Sequence, residues 1–381
     1  MKQSTATPSG RLEYLDLIRG VFILVMIEGH TLRRFLAAEV KAGPLYQYQE
    51  WIHNLTGPAF LFASGAALVY STHSRWESYR AWGPNLRRRL SKWLVVLVIG
   101  YALQLTYGTL RRTLAETTHD QLAYLLSLNI LQCIIFSLLL LQLLIRIAPN
   151  WQWFFRASVF AALGIALLTP LAWEAGRTAP LWLASLVSGR SRSVFPLFPY
   201  AGFTLAGAAW GHLHLVARDQ GREDSFLRRC VRYAVGLALG SYLIAFLTLP
   251  EITTEFWLTS PLSFLLRVGI LMLIAVGARW LEPRLLPRFG MFAMAGRQSL
   301  LIYVMHLPVL YGSAFNPDTS LSKGLGVPLA PGATAVVWLL LTALMLAIAA
   351  WWDWWQKNHR WQAKGVWWTV VGYYSYRFFL S

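Results

Sequence analysis

The sequence predicts an all-α, polytopic integral-membrane bundle of about ten transmembrane helices, with both termini on the cytoplasmic side. Three observations carry that expectation. The chain is 56% hydrophobic and only 13% charged over 381 residues. Apolar runs near twenty residues recur along almost its whole length, matching the span a helix needs to cross about 30 Å of hydrocarbon. Lys and Arg are concentrated in alternate segments between those runs, the pattern of positive-inside loops.

Apolar length and flanking charge together place the spans near 13–37, 51–72, 93–110, 122–146, 154–173, 197–216, 231–249, 259–280, 297–315 and 333–354. The first follows a short polar segment, 1–12, with no small-residue cleavage site, and its ionisable side chains are foreign to a secretory signal, so it is read as a retained helix. Arg75, Arg80, Arg87, Arg88, Arg89 and Lys92 then mark the first inner loop, and Arg146 and Arg156 the second. Arg218, Arg222, Arg228, Arg229 and Arg232 mark the third, and Arg279, Arg284, Arg288 and Arg297 the fourth. An even number of spans returns the chain to the cytoplasm, where Lys357, Arg360, Lys364 and Arg377 agree with it. The tail, 355–381, interleaves Trp and basic residues and reads as an interfacial belt. Connections between spans are too short for an independent core, so 13–354 forms one membrane domain. Gly207-xxx-Gly211 and Gly236-xxx-Gly240 are positioned for close helix contacts.

The net charge of +17 belongs to these loops, not to a nucleic-acid surface, and some of it is available to anionic lipid. The two cysteines, Cys133 and Cys230, give neither a disulfide framework nor metal spacing. No HExxH, CxxC, Walker A or G-x-S-x-G pattern occurs, which removes the usual support for metallopeptidase, redox, nucleotide-hydrolase and α/β-hydrolase chemistry.

Candidate functional residues are the ionisable groups kept inside spans, where a charge near the bilayer centre costs about 2.5–3.5 kcal/mol on insertion scales. Asp16, Arg19, Glu28 and His30 all fall in the first span. Asp16 and Arg19 share a helix face and suit either an ion pair or an anion site. Arg19 and His30 stand about 16 Å apart along a helix, so one sits near an end while the other reaches deeper. His30 suits general-base work. Glu28 points away from it. The second span opens with His53, Asn54, Thr56 and Pro58, a helix break whose freed backbone groups need partners at a cavity mouth or in a loop. Gln132 lies mid-span, and Arg297, Ser299, Tyr303 and His306 repeat on another helix the order of cation first and imidazole deeper.

Arg19-x10-His30 after Leu15-Asp16 resembles the N-terminal motif of integral-membrane acyltransferases. With Gly57-Pro58-Ala-Phe60-Leu-Phe62-Ala-Ser-Gly65, Asn129-Ile-Leu-Gln132-Cys, Phe195-Pro196-Leu-Phe-Pro199-Tyr200-Ala-Gly202 and Gly296-Arg297-Gln298-Ser299-Leu-Leu-Ile-Tyr303-Val-Met-His306, the chain resembles the bacterial heparan-α-glucosaminide N-acetyltransferase-like family, related in motif to the acyltransferase 3 family. That resemblance covers most of the chain. It implies transfer of an acyl group, most often acetyl, from cytoplasmic acyl-coenzyme A to a hydroxyl or amine of a sugar or glycan, with no metal, in a bacterial inner membrane. Arg19 and Arg297 would hold the anionic donor, flanked by Asp16, Gln132, Ser299, Tyr303 and His306. His30 or His53 would be the base, with Asn54 and Glu28 beside them. Eukaryotic members carry Asn at the position of His30 and place the working His later, near Lys41 here, whereas bacterial relatives often have Asp where this chain has Gly29. A secondary transporter with an intramembrane Arg/Glu/His relay is the competing reading, and a non-catalytic scaffold a third. An oligomer is compatible with all three.

Overall fold

The computed structural model describes residues 13–249 and 253–380; the predicted segment 1–12 lies outside them. Among the described residues the chain is helical throughout and has no strand. Helix α1 (Glu13–Phe35) leads through the short α2 (Ala38–Lys41) to α3 (Pro44–His53), and α4 (Thr56–His73) continues after a break at Asn54 and Leu55. Next come α5 (Trp76–Arg80), α6 (Pro84–Ala102), α7 (Leu110–Glu116), α8 (His119–Leu126), α9 (Ile130–Ile147), α10 (Trp151–Ala175) and α11 (Leu181–Val187). The second half holds α12 (Leu197–Asp219), α13 (Glu223–Thr248), α14 (Thr254–Thr259), α15 (Pro261–Arg297), α16 (Ser299–Tyr311), α17 (Leu321–Leu325), α18 (Pro331–Asn358) and α19 (Arg360–Leu380). Among the described residues six stretches are long and apolar enough to cross a membrane: 44–73, 130–147, 151–175, 223–248, 261–284 and 331–358. The other predicted spans are helical as well, but α1 is interrupted by ionisable groups and α16 is short.

Two predicted boundaries move for identifiable reasons. The span expected at 93–110 is α6, which starts earlier because Pro84 occupies its first turn after an extended Gly83. Arg87, Arg88, Arg89 and Lys92 are therefore helical, and Arg89 is buried. The span expected at 122–146 divides into α8 and α9. Its backbone opens at Leu128, whose N–H donates to Ser193 Oγ at 2.8 Å and whose carbonyl accepts from the Phe195 N–H at 3.0 Å. The long connection 180–196 thus takes over bonds that a continuous helix would use.

Helices α1, α4, α12 and α15 form the centre: α12 packs along α4 and α1 along α15, with α10 and α13 outside them. The α1/α15 seam is as close as two helices come, since a Cβ on Gly20 would overlap the Phe292 carbonyl and one on Gly296 the Asp16 carbonyl. Both obstacles are backbone and have no rotamer to give. Gly207 meets the Phe62 backbone of α4 in the same way, as its motif predicts, and Gly211 approaches Ala66. Gly236 and Gly240 do not repeat this: both face open space, and Gly269 of α15 makes the close contact with α13 instead. Gly296→Val is therefore expected to abolish monodisperse protein, because overpacking against backbone exceeds the usual cost of about 1–3 kcal/mol. Gly236→Val should behave as wild type on size-exclusion chromatography, and equal behaviour of the two variants would refute the seam.

One end of the bundle is tied by a directional hydrogen-bond chain. The Glu223 carboxylate accepts from His214 Nε2 at 2.8 Å, so neutral His214 accepts at Nδ1 from the Tyr70 hydroxyl at 2.7 Å. Tyr70 in turn accepts from the Tyr14 hydroxyl at 2.8 Å, and Glu223 also receives Arg279 Nε at 2.7 Å. The chain links α1, α4, α12, α13 and α15.

The aromatic tail does not stay at that end. Helix α19 begins beside the last turn of α18, where Trp355 Nε1 reaches Gln362 Oε1 at 3.4 Å. Its far end meets the loop after α16: the Tyr374 and Phe315 rings are 4.9 Å apart, and Arg377 donates to the Phe315 carbonyl at 3.4 Å. Twenty-one helical residues cover about 31 Å, so the segment expected to lie along one interface runs the length of the bundle.

Candidate active site

Two cavities open between α1, α4, α9 and α16. The first, about 640 Å³, lies toward the N-terminal end of α1 and is lined by Arg19, Arg89, Lys92, Trp93, Ser299 and Tyr303. The second, about 410 Å³, lies toward the C-terminal end of α1 and is lined by His30, His53, Asn54, Asn129, Tyr200 and Tyr311, among others. Met26, Ile130 and Tyr303 line both, so the two chambers adjoin across these three side chains. Arg19, Arg89 and Lys92 line the first chamber, whereas His30 and His53 line the second together with Arg33.

In the first chamber Arg19 stays within 3.3 Å of Asp16, one turn back on α1. Arg89 is held differently. Only 9% exposed, it donates to Gln142 Oε1 at 3.0 Å, Thr72 Oγ1 at 3.0 Å and Ser71 Oγ at 3.3 Å, with its guanidinium 3.3 Å from the Tyr79 ring centre. All of these partners are neutral. Burying a cation is expensive unless a counter-charge arrives, so neutral tethers on a cavity wall fit a guanidinium that awaits an anion.

In the second chamber His30 Nδ1 is 3.0 Å from His306 Nε2, with the rings stacked 5.2 Å apart. His306 is fully buried, and its Nδ1 lies 2.9 Å from the Ile302 carbonyl one turn back. A carbonyl only accepts, so Nδ1 of His306 carries a proton, and in the neutral ring Nε2 must accept. His30 therefore donates from Nδ1, which leaves its Nε2 lone pair free. His30 is thus held in one tautomer by a buried partner, with its Nε2 as the acceptor nitrogen.

His53 stands against the other side of His30, ring centres 5.6 Å apart, with Nδ1 3.4 Å from the Val25 carbonyl. Its place depends on Gly29, where any Cβ would overlap the His53 ring. That accounts for glycine immediately before His30. Tyr311 donates to the His30 carbonyl at 3.2 Å, and Arg33 pairs with Glu50 at the rim.

Other sequence candidates lie elsewhere. Arg297 lines neither cavity; it faces Asp353 of α18 at 3.6 Å. Gln132 is fully buried against Gln104, which also bonds Ser127, and so braces the α6–α9 contact. Glu28 projects away from both chambers, as its two-residue offset from His30 requires. Asp16 lines neither chamber and pairs with Arg19. Conversely, the sequence reading left Arg89, Lys92, Tyr200 and Tyr311 without a role. The signal for Arg89 was present: it falls four residues before Trp93 on a face that turns inward once the helix is known to start at Pro84.

Among protein-family models, the one described as Heparan-alpha-glucosaminide N-acetyltransferase, catalytic, matches residues 11–244. That range includes Arg19, His30, His53 and Arg89 and stops before Ser299, Tyr303 and His306. No curated protein matches the chain.

Proposed function

The chain belongs to the heparan-alpha-glucosaminide N-acetyltransferase catalytic family, a family of membrane acetyltransferases, and from that premise we propose that it moves an acetyl group from cytoplasmic acetyl-coenzyme A to a hydroxyl or amine of a sugar presented on the opposite face. The observation that carries the proposal is the junction of the two chambers at Met26, Ile130 and Tyr303. The donor's phosphates would rest against Arg19, Arg89 and Lys92, and its narrow pantetheine arm would pass between those three side chains and bring the thioester to His30.

His30 Nε2 would remove the proton as the acceptor oxygen or nitrogen attacks the thioester carbonyl. A carbon–oxygen or carbon–nitrogen bond forms, the carbon–sulfur bond breaks, and the leaving thiolate takes the proton back from the imidazolium. Among the described residues neither cysteine lines a chamber, buried Cys133 contacting Ser137 at 4.0 Å, so a cysteinyl acyl-enzyme has no support and attack on the thioester would be direct. Tyr200 and Tyr311 give the acceptor chamber flat faces and hydroxyls of the kind that sugars use.

For the topology, we place the α1 start, with Arg87, Arg88 and the α13 arginines, in the cytoplasm by charge. The α19 end, beside Phe315, then falls on the outer side, the reverse of the cytoplasmic C-terminus expected from an even span count.

Two adjoining cavities placed end to end are also what a transporter would have. Proteoliposomes separate the readings with acetyl-coenzyme A on the basic side and glucosamine as acceptor probe. Thiol release that requires glucosamine, with radiolabelled acetyl recovered in the sugar, is the expected result. Glucosamine flux without thiol release would overturn the proposal.

A further inference from the structure

A third concavity lies outside the two chambers and shares no residue with them, and it does not depend on the chemistry assigned to His30. It sits where the first turns of α13 meet the middle of α15 and is lined by Ser225, Arg228, Arg229, Val231, Arg232 and Trp280. All three arginines are exposed. Among the described residues none of them forms an ion pair: Asp224, exposed one turn before Arg228 on the same helix, makes none with it, and Glu223 is already held by His214 and Arg279. Three guanidinium groups around one hollow, with the single carboxylate of Asp224 near them on the helix, still favour an anion with several acceptor oxygens.

Trp280 decides which kind. It is 46% exposed, and it follows the apolar run of α15 by one turn, the level at which an indole settles in the headgroup layer. Arg284, one further turn along the same face, is exposed as well. Toward the bilayer from the arginines, α13 presents Tyr233, Leu239, Leu243 and Leu247 as exposed apolar side chains. The hollow thus opens sideways onto a surface suited to acyl chains, and a free phosphate would leave that half unused. We propose that this groove binds the headgroup of an anionic phospholipid of the inner leaflet.

The test uses the full chain in detergent micelles, read by native mass spectrometry with phosphatidylglycerol or phosphatidylcholine added at equal concentration. Phosphatidylglycerol should be retained about tenfold more strongly, and inorganic phosphate at millimolar concentration should not displace it. In R228Q/R229Q/R232Q this preference should vanish. In R75Q/R87Q/R88Q, which removes equal charge from exposed arginines at the same end, it should persist. Equal losses in the two triple variants would reduce the effect to diffuse attraction and overturn the site, and displacement by phosphate would replace lipid with a soluble anion. Trp280→Ala is a milder variant for the case in which the triple variant does not fold. It should cut phosphatidylglycerol retention severalfold, and retention at the wild-type level would overturn the assignment.

Discussion

Replacing His30 with glutamine is expected to lower kcat by about 10²–10⁴-fold, the range that general-base catalysis contributes, while the KM for acetyl-coenzyme A changes little. The split follows from position. His30 borders the acceptor chamber, and the donor's charged portion would lie in the other, beyond Tyr303. His306 adds a second arm to the same experiment. It lines neither chamber, and in the proposed mechanism it would act through the 3.0 Å bond that holds His30 as the Nδ1–H tautomer. His306→Ala should therefore cost less than the His30 change. Combined with His30→Gln it should cost almost nothing more, because residues acting as one unit are not additive. Acetyl transfer at the wild-type rate in His30→Gln would remove His30 from the mechanism. Loss in that variant matched by equal loss in His53→Gln would move the base assignment to the pair.

How much of this was legible beforehand differs between helices. The first span could be read almost completely, because an apolar run with an Arg and a His eleven residues apart has few reasons to exist in lipid. On the first helix the structure places Arg19 and His30 in separate chambers, and it brings His306 of α16 within 3.0 Å of His30. What failed was the assumption that matching residues on two helices face the same space. Arg297 stands at the end of a helix of 37 residues that continues past the apolar core, and there its neighbour is Asp353 of a helix distant in sequence. Gln132 has a counterpart, Gln104, that no spacing rule connects to it. Arg89 was hidden by a boundary error: a dense run of Arg looks like a loop, and only Pro84 at the first turn makes it a helix with one inward face. The tail shows the same limit. Trp and Tyr score as interfacial, yet their rings can equally face lipid along a helix packed on the bundle, and sequence alone does not tell which end of α19 meets Phe315.

Arg89→Met should raise the KM for acetyl-coenzyme A by about 30–1000-fold, corresponding to about 2–4 kcal/mol for a buried charge that loses its ionic partner, with kcat at saturation largely kept. Methionine fills similar volume and carries no charge, so the apolar part of the side chain's packing survives. The difficulty is that Arg89 also joins α6 to α4 and α9 through Thr72 and Gln142, and loosening those contacts would lower activity for structural reasons alone. A truncated donor separates the two effects. The acetyl thioester of N-acetylcysteamine carries the reacting carbonyl and sulfur but no phosphate, so it has nothing for Arg89 to bind. If Arg89 is an anion site, the variant should turn over that thioester as the wild type does while losing acetyl-coenzyme A. If Arg89 only holds helices together, both donors should suffer alike. The second outcome would leave Arg19 and Lys92 as the remaining cations of the chamber, and Arg19 is already committed in part to Asp16. Retention of full affinity for acetyl-coenzyme A in Arg89→Met would go further, because it would mean that the neutral tethers of Ser71, Thr72 and Gln142 serve the fold and not a phosphate.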